Sequence, residues 1–457
     1  MGIDTALSEI SSLLGNRLSR AKVDLAHHGQ SEAWFPPSPP DAVAYPESTE
    51  EVSQLVRICH AHGVPVIGWG AGTSLEGHAL AVRGGVVVDF SHMNNIVAIN
   101  DADLDAVVQP GITREELNHE LRTTGLFFPI DPGANASLGG MTSTRASGTT
   151  AVRYGTMRDN VLGLEVVLAD GRVIHTGTRA RKSSAGYDLT GLFVGAEGTL
   201  GLITQITLRL VAQPETILSG ICRFSKFNDA VDAVIATIQM GIPMARIEFV
   251  DATMAKAFND YAGASFPEDP HLMVEFHGSD AGVKDDSARF AEIIADFNGD
   301  GFEVAQKPED RTALWAMRHN GYYAALALRP GAKALTTDVC VPISRLAEAV
   351  EETRAEIDES FLEGPILGHV GDGNFHACLL FEPDRPEEMA EVKRLSRNMA
   401  QRALRLGGTI TGEHGIGMGK TDLMEAEHGA AWDVMGDLKR ALDPDGIMNP
   451  GKLVRGN

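Results

Sequence analysis

The 457 residues are 43% hydrophobic and 22% charged, with a formal net charge of −23. That is a globular balance in a chain too long for one core, so two or three domains are expected. The acidity argues against nucleic acid as a partner, and no apolar run approaches the roughly 20 residues of a membrane span.

The opening stretch MGIDTALSEISSLLGNRL lacks a basic segment ahead of an apolar core and carries acids early, unlike a secretory or transit leader. Cys59, Cys222, Cys340 and Cys378 form no CxxC pair, and no haem or iron–sulfur attachment is spelled out. The expected location is therefore cytoplasmic, with any membrane contact confined to the protein's surface.

STEEVSQLVRICHAHG predicts a helix with a capping box from Ser48 and Glu51, an apolar face of Val52, Leu55, Val56 and Cys59, and a stop at Gly63. TREELNHELRTTG repeats that design with Thr113, Glu116 and Gly125. VPVIGW, GVVVDF and LFFPI read as short strands, and LEVVLADGRVIHTG as a hairpin turning at Asp170 and Gly171. Beyond Pro214 the texture changes. RIEFVD and LMVEFHG read as strands, while SRLAEAVEETRAEIDESF and PEEMAEVKRLSRNMAQRALRLGG have helical apolar spacing. The expected division is 1–213, 214–406, and 407–457 returning to the first domain.

Three glycine-rich loops punctuate the first part. VIGWGAGTSLEGHAL leaves a strand without opening a helix. Gly70, Gly72 and Gly77 free backbone N–H groups to converge on a phosphate beside Thr73 and Ser74. Gly68-x-Gly70 with Asp89 downstream begins a Rossmann pattern, but Thr73 occupies the third glycine position. DPGANASLGGMTSTRASGTT reads as 20 residues of loop with only Asp131 and Arg145 charged. GAEGTLGLITQITLRL adds Gly195, Gly198 and Gly201. Three such loops imply a ligand longer than one nucleotide.

In GHVGDGNFH, residues 368–376, a type I′ turn centred on Asp372 and Gly373 would make His369 and His376 a directly opposed cross-strand pair. In TGEHGIGMG, Glu413 and His414 are flanked by Gly412 and Gly415, which free the backbone to bring both to one place. Two imidazoles and a carboxylate suit Zn²⁺ or Mn²⁺ with an open position for substrate.

GAGTSLEG, GGMTSTRASGTTAVRYGTMRDNV and GAEGTLGLIT resemble the FAD domain of the vanillyl-alcohol oxidase / p-cresol methylhydroxylase (PCMH) superfamily, over nearly the whole chain. WAMRHNGYYAALALRPGAKALTTDVCVPISRL together with GHVGDGNFH is similar to the cytochrome-type D-lactate dehydrogenases. The resemblance implies an α+β fold: a PCMH-type FAD-binding domain plus a substrate (cap) domain with a largely antiparallel sheet covered by helices. It implies non-covalent FAD, since the offset of His78 does not fit covalent attachment. The flavin would be held by Gly70, Ala71, Gly72, Thr73, Ser74, Gly77, Pro132, Gly140, Ser147, Gly148, Glu197, Gly201, Ile203 and Asn449. It also implies His369, His376 and Glu413 as metal ligands and His414 as general base. Arg318 and Lys333 would lie on the substrate carboxylate, with Tyr322 and Cys378 nearby.

The implied reaction is oxidation of a small D-2-hydroxy acid, D-lactate first, with hydride passing from C2 to flavin N5. Electrons would leave to an external cytochrome c, quinone or electron-transfer flavoprotein. D-2-hydroxyglutarate dehydrogenase and glycolate oxidase subunit are the neighbouring alternatives. The hydroxyglutarate enzymes carry asparagine and threonine where this chain has Cys378 and Tyr322. A non-redox flavin-dependent transferase is more distant.

Overall fold

The structure, a computed structural model, describes residues 2–305 and 307–455. It divides into two compact units. The first comprises residues 1–147, 155–213 and 413–457; the second comprises 148–154 and 214–412.

The first unit holds two principal sheets. One has four strands in the order Leu18–Ser19, Ala42–Ala44, Val86–Asp89, Val66–Trp69, the last three parallel. The helix Thr49–His62 packs on it because Val52, Leu55, Val56 and Cys59 recur at helical spacing, all at 0% exposure. Its capping box is only half made. Ser48 Oγ accepts from the Glu51 N–H, but the Glu51 carboxylate goes to Arg17 and the Glu47 N–H instead. Thr113 and Glu116 complete theirs. The other sheet is antiparallel, in the order Ile96–Asn100, Asp105–Val108, Leu202–Arg209, Val161–Val167, Val173–Gly177. The hairpin at Asp170 and Gly171 forms with a three-residue loop, since Leu168 N donates to Arg172 O (2.9 Å) and Gly171 has φ +80.

The polar stretch 131–150 is not all loop. Ser137 caps a helix, Leu138–Thr144, that buries Leu138 and Met141. Glycine hides it from propensity: Gly139 and Gly140 stand in its first turn, and a Cβ at Gly139 would come 2.5 Å from Pro110.

The second unit is one eight-stranded sheet, Gly299–Val304, Thr216–Phe224, His271–Gly278, Met244–Val250, Ile366–His369, Asn374–Phe381, Lys333–Thr336 in order, with Val339–Cys340 also pairing to Asn374–Phe381. Every described pairing is antiparallel. Helices cover both faces. On one, Met254, Phe258, Trp315, Ala324 and Ala325 pack on Val250, Met273, Leu367 and Cys378. On the other, Phe227 meets Phe249 and Phe290 meets Phe276. A sheet buried twice reads as near-continuous apolar strands. Polar residues in those strands are therefore exceptions that need partners.

Candidate active site

In the first unit the chain leaves Val66–Trp69 into the loop 70–77 with no helix. Gly72 and Gly77 have φ +73 and +71, and a Cβ on Gly70 would lie 2.2 Å from Ser137 Oγ. Among the described hydrogen bonds, the amides of Ala71, Gly72, Thr73 and Ser74 find no protein acceptor, and these residues are partly or fully exposed. Such a run of unpaired donors on a glycine bend fits a pyrophosphate. Pro132 and Gly140 are half-buried; Ser147 is buried, and Gly148 opens the short piece assigned to the second unit. Gly201 lies against Val166, and Ile203 is a core residue, so backbone is what those positions offer a ligand.

Glu197 and Asn449 act as braces. The buried Glu197 carboxylate accepts from Ile416 N (2.7 Å) and Gly417 N (2.8 Å), with His78 Nε2 at 3.3 Å. Burial alone would raise its pKa; His78 and the two amides outweigh that and hold it below the usual range. Asn449 Nδ2 donates to His78 O (2.9 Å) and Glu197 O (2.7 Å). Glu413 and His414 follow Gly412 in irregular backbone, not a strand, and Gly415 has φ +81.

In the second unit the histidine hairpin forms with a register other than the expected one. His369 pairs with Asn374 and Leu367 with His376, so the imidazoles are diagonal neighbours on one face rather than opposed. Only Gly373 of the turn pair has positive φ (+79), so the turn is not type I′. Val370 is fully buried, and a Cβ on Gly371 would strike Ile247 and Val152, so residues 370–373 form a packed four-residue loop. The pair still meets: the ring centroids are 5.5 Å apart, edge to face. His376 Nδ1 donates to Thr337 O (3.0 Å), and His369 Nδ1 to Glu248 Oε1 (2.8 Å). A carbonyl and a carboxylate only accept, so Nε2 of each ring is the nitrogen offered to a metal.

Arg318, 7% exposed, stands over this face. Its Nη2 is 2.6 Å from Glu248 Oε2, an ion pair whose angle makes no hydrogen bond. Among the described residues, Arg318 Nε and Nη2 have no hydrogen-bond partner. Those two donors form the edge that grips a carboxylate bidentately. Cys378 lies in the apolar cluster with Trp315 and Leu367, its thiol pushed up to about 11 by burial. Tyr322 is half-buried beside Tyr323.

Lys333 is not brought to this set. It is exposed and pairs with Phe381, five residues along the strand from His376, roughly 17 Å at about 3.3 Å per residue. Side-chain alternation also turns it to the opposite face from Cys378 and His376.

The sequence reading missed Glu248, Asp338 and Arg246. Asp338 accepts from Asn374 Nδ2 (2.8 Å) and Thr411 Oγ1 (2.6 Å). Arg246 lies over Trp315 and pairs with Glu275, which His277 and Ser219 also engage, while Tyr154 bonds His277. The available signal was in RIEFVD itself: Arg246 and Glu248 alternate in an otherwise apolar strand.

Comparison with known proteins bears on this geometry. Residues 213–453 match the family "FAD linked oxidases, C-terminal domain", and residues 40–177 match "FAD binding domain". The chain is 48% identical to a probable mitochondrial D-lactate dehydrogenase of Danio rerio, covering 99% of this chain and 92% of that protein. It is 44% identical to a mitochondrial D-lactate dehydrogenase [cytochrome] of Arabidopsis thaliana, covering 98% and 80%. Its fold is similar to that of p-cresol methylhydroxylase, with a TM-score of 0.82 at 17% identity, covering 99% of this chain and 96% of that one. The α+β architecture with a PCMH-type FAD-binding domain is thus the observed one, and the chain belongs to the FAD-linked oxidase family that includes these D-lactate dehydrogenases.

Proposed function

We propose that this chain oxidises a small D-2-hydroxy acid, D-lactate before others, to the 2-oxo acid, using non-covalent FAD and a divalent metal. The observation that carries the reading is buried Arg318, ion-paired to Glu248 with its Nε and Nη2 making no described hydrogen bond, on the sheet face that holds an oriented pair of imidazoles. That pair of donors matches one carboxylate; the activity named for the relatives supplies the rest of the substrate.

In this reading Arg318 holds the C1 carboxylate with two parallel N–H···O bonds. His414 accepts the proton of the 2-hydroxyl on an imidazole nitrogen. The buried, apolar surroundings of Cys378 favour a short side chain on C2. FAD, held along Ala71–Ser74 and the neighbouring loops, supplies the acceptor for the C2 hydride when bound. His369, His376 and Glu413 would hold a Zn²⁺ or Mn²⁺, which would supply Lewis acidity toward the hydroxyl when bound. Glu413 is the third ligand on the ground that Gly412 before it packs on the hairpin, where a Cβ would reach Asn374 Nδ2 at 2.2 Å. Electrons then leave to an outside acceptor, for which the cytochrome in the Arabidopsis relative's name is the model. We place the protein in a reducing compartment, on its four free cysteines; the relatives' names specify the mitochondrion for those proteins. Among the described residues, no helix is long and apolar enough to cross a membrane.

The test is kcat/KM on D-lactate, L-lactate and D-2-hydroxyglutarate with an artificial electron acceptor. D-lactate should lead both others. A preference for D-2-hydroxyglutarate overturns the short-chain assignment, and no turnover of any D-2-hydroxy acid overturns the reaction.

A further inference from the structure

We infer that Glu248 is a positioning residue that couples carboxylate recognition to metal ligation; the inference rests on the reaction proposed above. Glu248 is fully buried in the strand Met244–Val250, with one carboxylate oxygen at 2.8 Å from His369 Nδ1 and the other at 2.6 Å from Arg318 Nη2. These two partners have separate tasks. His369 presents Nε2 to a metal only while its Nδ1 proton is held, and Arg318 presents its Nε/Nη2 edge only while its guanidinium is held. One carboxylate does both.

The manner of the second contact matters. The 2.6 Å ion pair is out of line for a hydrogen bond, so Glu248 anchors the guanidinium by charge and leaves its Nη2 donor to the ligand. An aspartate, one methylene shorter, cannot span both partners from this strand. A glutamine fails for another reason. Both partners are donors, and an amide offers one acceptor and one donor, so it can satisfy His369 or Arg318 but not both.

The experiment is a double-mutant cycle on the full-length flavoprotein: wild type, Glu248→Gln, Arg318→Lys and the double variant. Zn²⁺ retention against graded chelator is read by atomic emission, and KM and kcat for D-lactate are read separately after Zn²⁺ is restored. Glu248→Gln should lower Zn²⁺ affinity about 10–100-fold and raise KM even at saturating Zn²⁺, with flavin content unchanged. Arg318→Lys should disturb Zn²⁺ retention when Glu248 is present and not when it is glutamine. Additive effects on Zn²⁺ retention, or a Glu248→Gln variant altered in only one of metal affinity and KM, overturn the coupling. Should Glu248→Gln fail to fold, Glu248→Asp takes its place in the cycle with the same outcomes. A wild-type protein whose turnover ignores chelator sinks the proposed reaction itself, a result distinct from a metal-dependent wild type with an additive cycle.

Discussion

The two units offer binding groups of different kinds. In the first, the outward donors of loop 70–77 are backbone amides, and the buried side chains Glu197, Asn449 and Lys452 are spent on bracing backbone. In the second, backbone is consumed by an eight-stranded sheet, and the groups we propose for metal and carboxylate there, His369, His376 and Arg318, are side chains on one face. The first should fail when an atom is added to a glycine. The second should lose chemistry when a side chain is replaced, with the sheet intact.

His369→Ala gives the sharpest break. Turnover should fall by more than the roughly 100-fold that loss of an outer hydrogen bond costs a metal site, while flavin content stays at wild-type level. Metal analysis alongside the visible spectrum checks both; loss of flavin would erase the distinction between the units.

Glycine substitutions come next. At Gly415, φ is +81 and a Cβ would lie 2.7 Å from Glu197 Oε1 and 2.8 Å from His78 Nε2. Gly263, in the second unit, has φ +64 with nothing within 4 Å. Both Gly→Ala changes carry about 1–2 kcal/mol of left-handed strain. Gly415→Ala should cost about 1–3 kcal/mol more, because a buried carboxylate must move. Equal denaturant midpoints for the two variants would show that the first unit's loops are not so tightly braced.

Acid and alkali should act on the units in opposite senses. Burial pulls Lys452 down to about 8 from 10.5. Between those values the unfolded chain binds the proton that the folded one has shed, so stability rises with pH. Burial pushes Asp251 up to about 6 from 3.8. Its contribution is full below 3.8 and is lost as pH rises through about 6. Each limb has a limiting slope of about 1.4 kcal/mol per pH unit. In thermal melts across pH, Lys452→Met should flatten the alkaline limb and Asp251→Asn the acidic one; a limb left unchanged by its substitution contradicts the assignment.

The smallest effect is expected at the helix pair Leu346–Asp358 and Pro386–Arg405, where Arg405 bridges Glu348 and Glu352 on the surface. Arg405→Gln should cost about 0–1 kcal/mol, less at high salt. A larger loss would mean that the second unit depends on its surface as much as on its core.

How legible each region was follows from the range of its interactions. The Thr113–Glu116 cap and the helix Thr49–His62 are settled within a few residues, and the sequence carries them. The Asp-Gly signal located both hairpins but not their registers. Gly371 is set by what packs on it, Ile247 and Val152, far away in sequence. The reach of Glu248 is comparable: it bonds a histidine 121 positions onward, and no local pattern announces such a partner. Lys333 shows the converse, since its place in a family motif says nothing of the sheet face it takes.

The central claim is that a metal held by His369, His376 and Glu413 is needed for D-lactate to reduce the flavin, and that the flavin stays bound without it. The most direct measurement is air-free mixing with D-lactate, followed by flavin absorbance, for the protein as purified, after metal removal, and after Zn²⁺ or Mn²⁺ is restored. Rapid bleaching is expected first, then a yellow protein that bleaches at least about 100-fold more slowly, then recovery. Undiminished bleaching of the metal-free protein, or loss of flavin together with the metal, would contradict the claim.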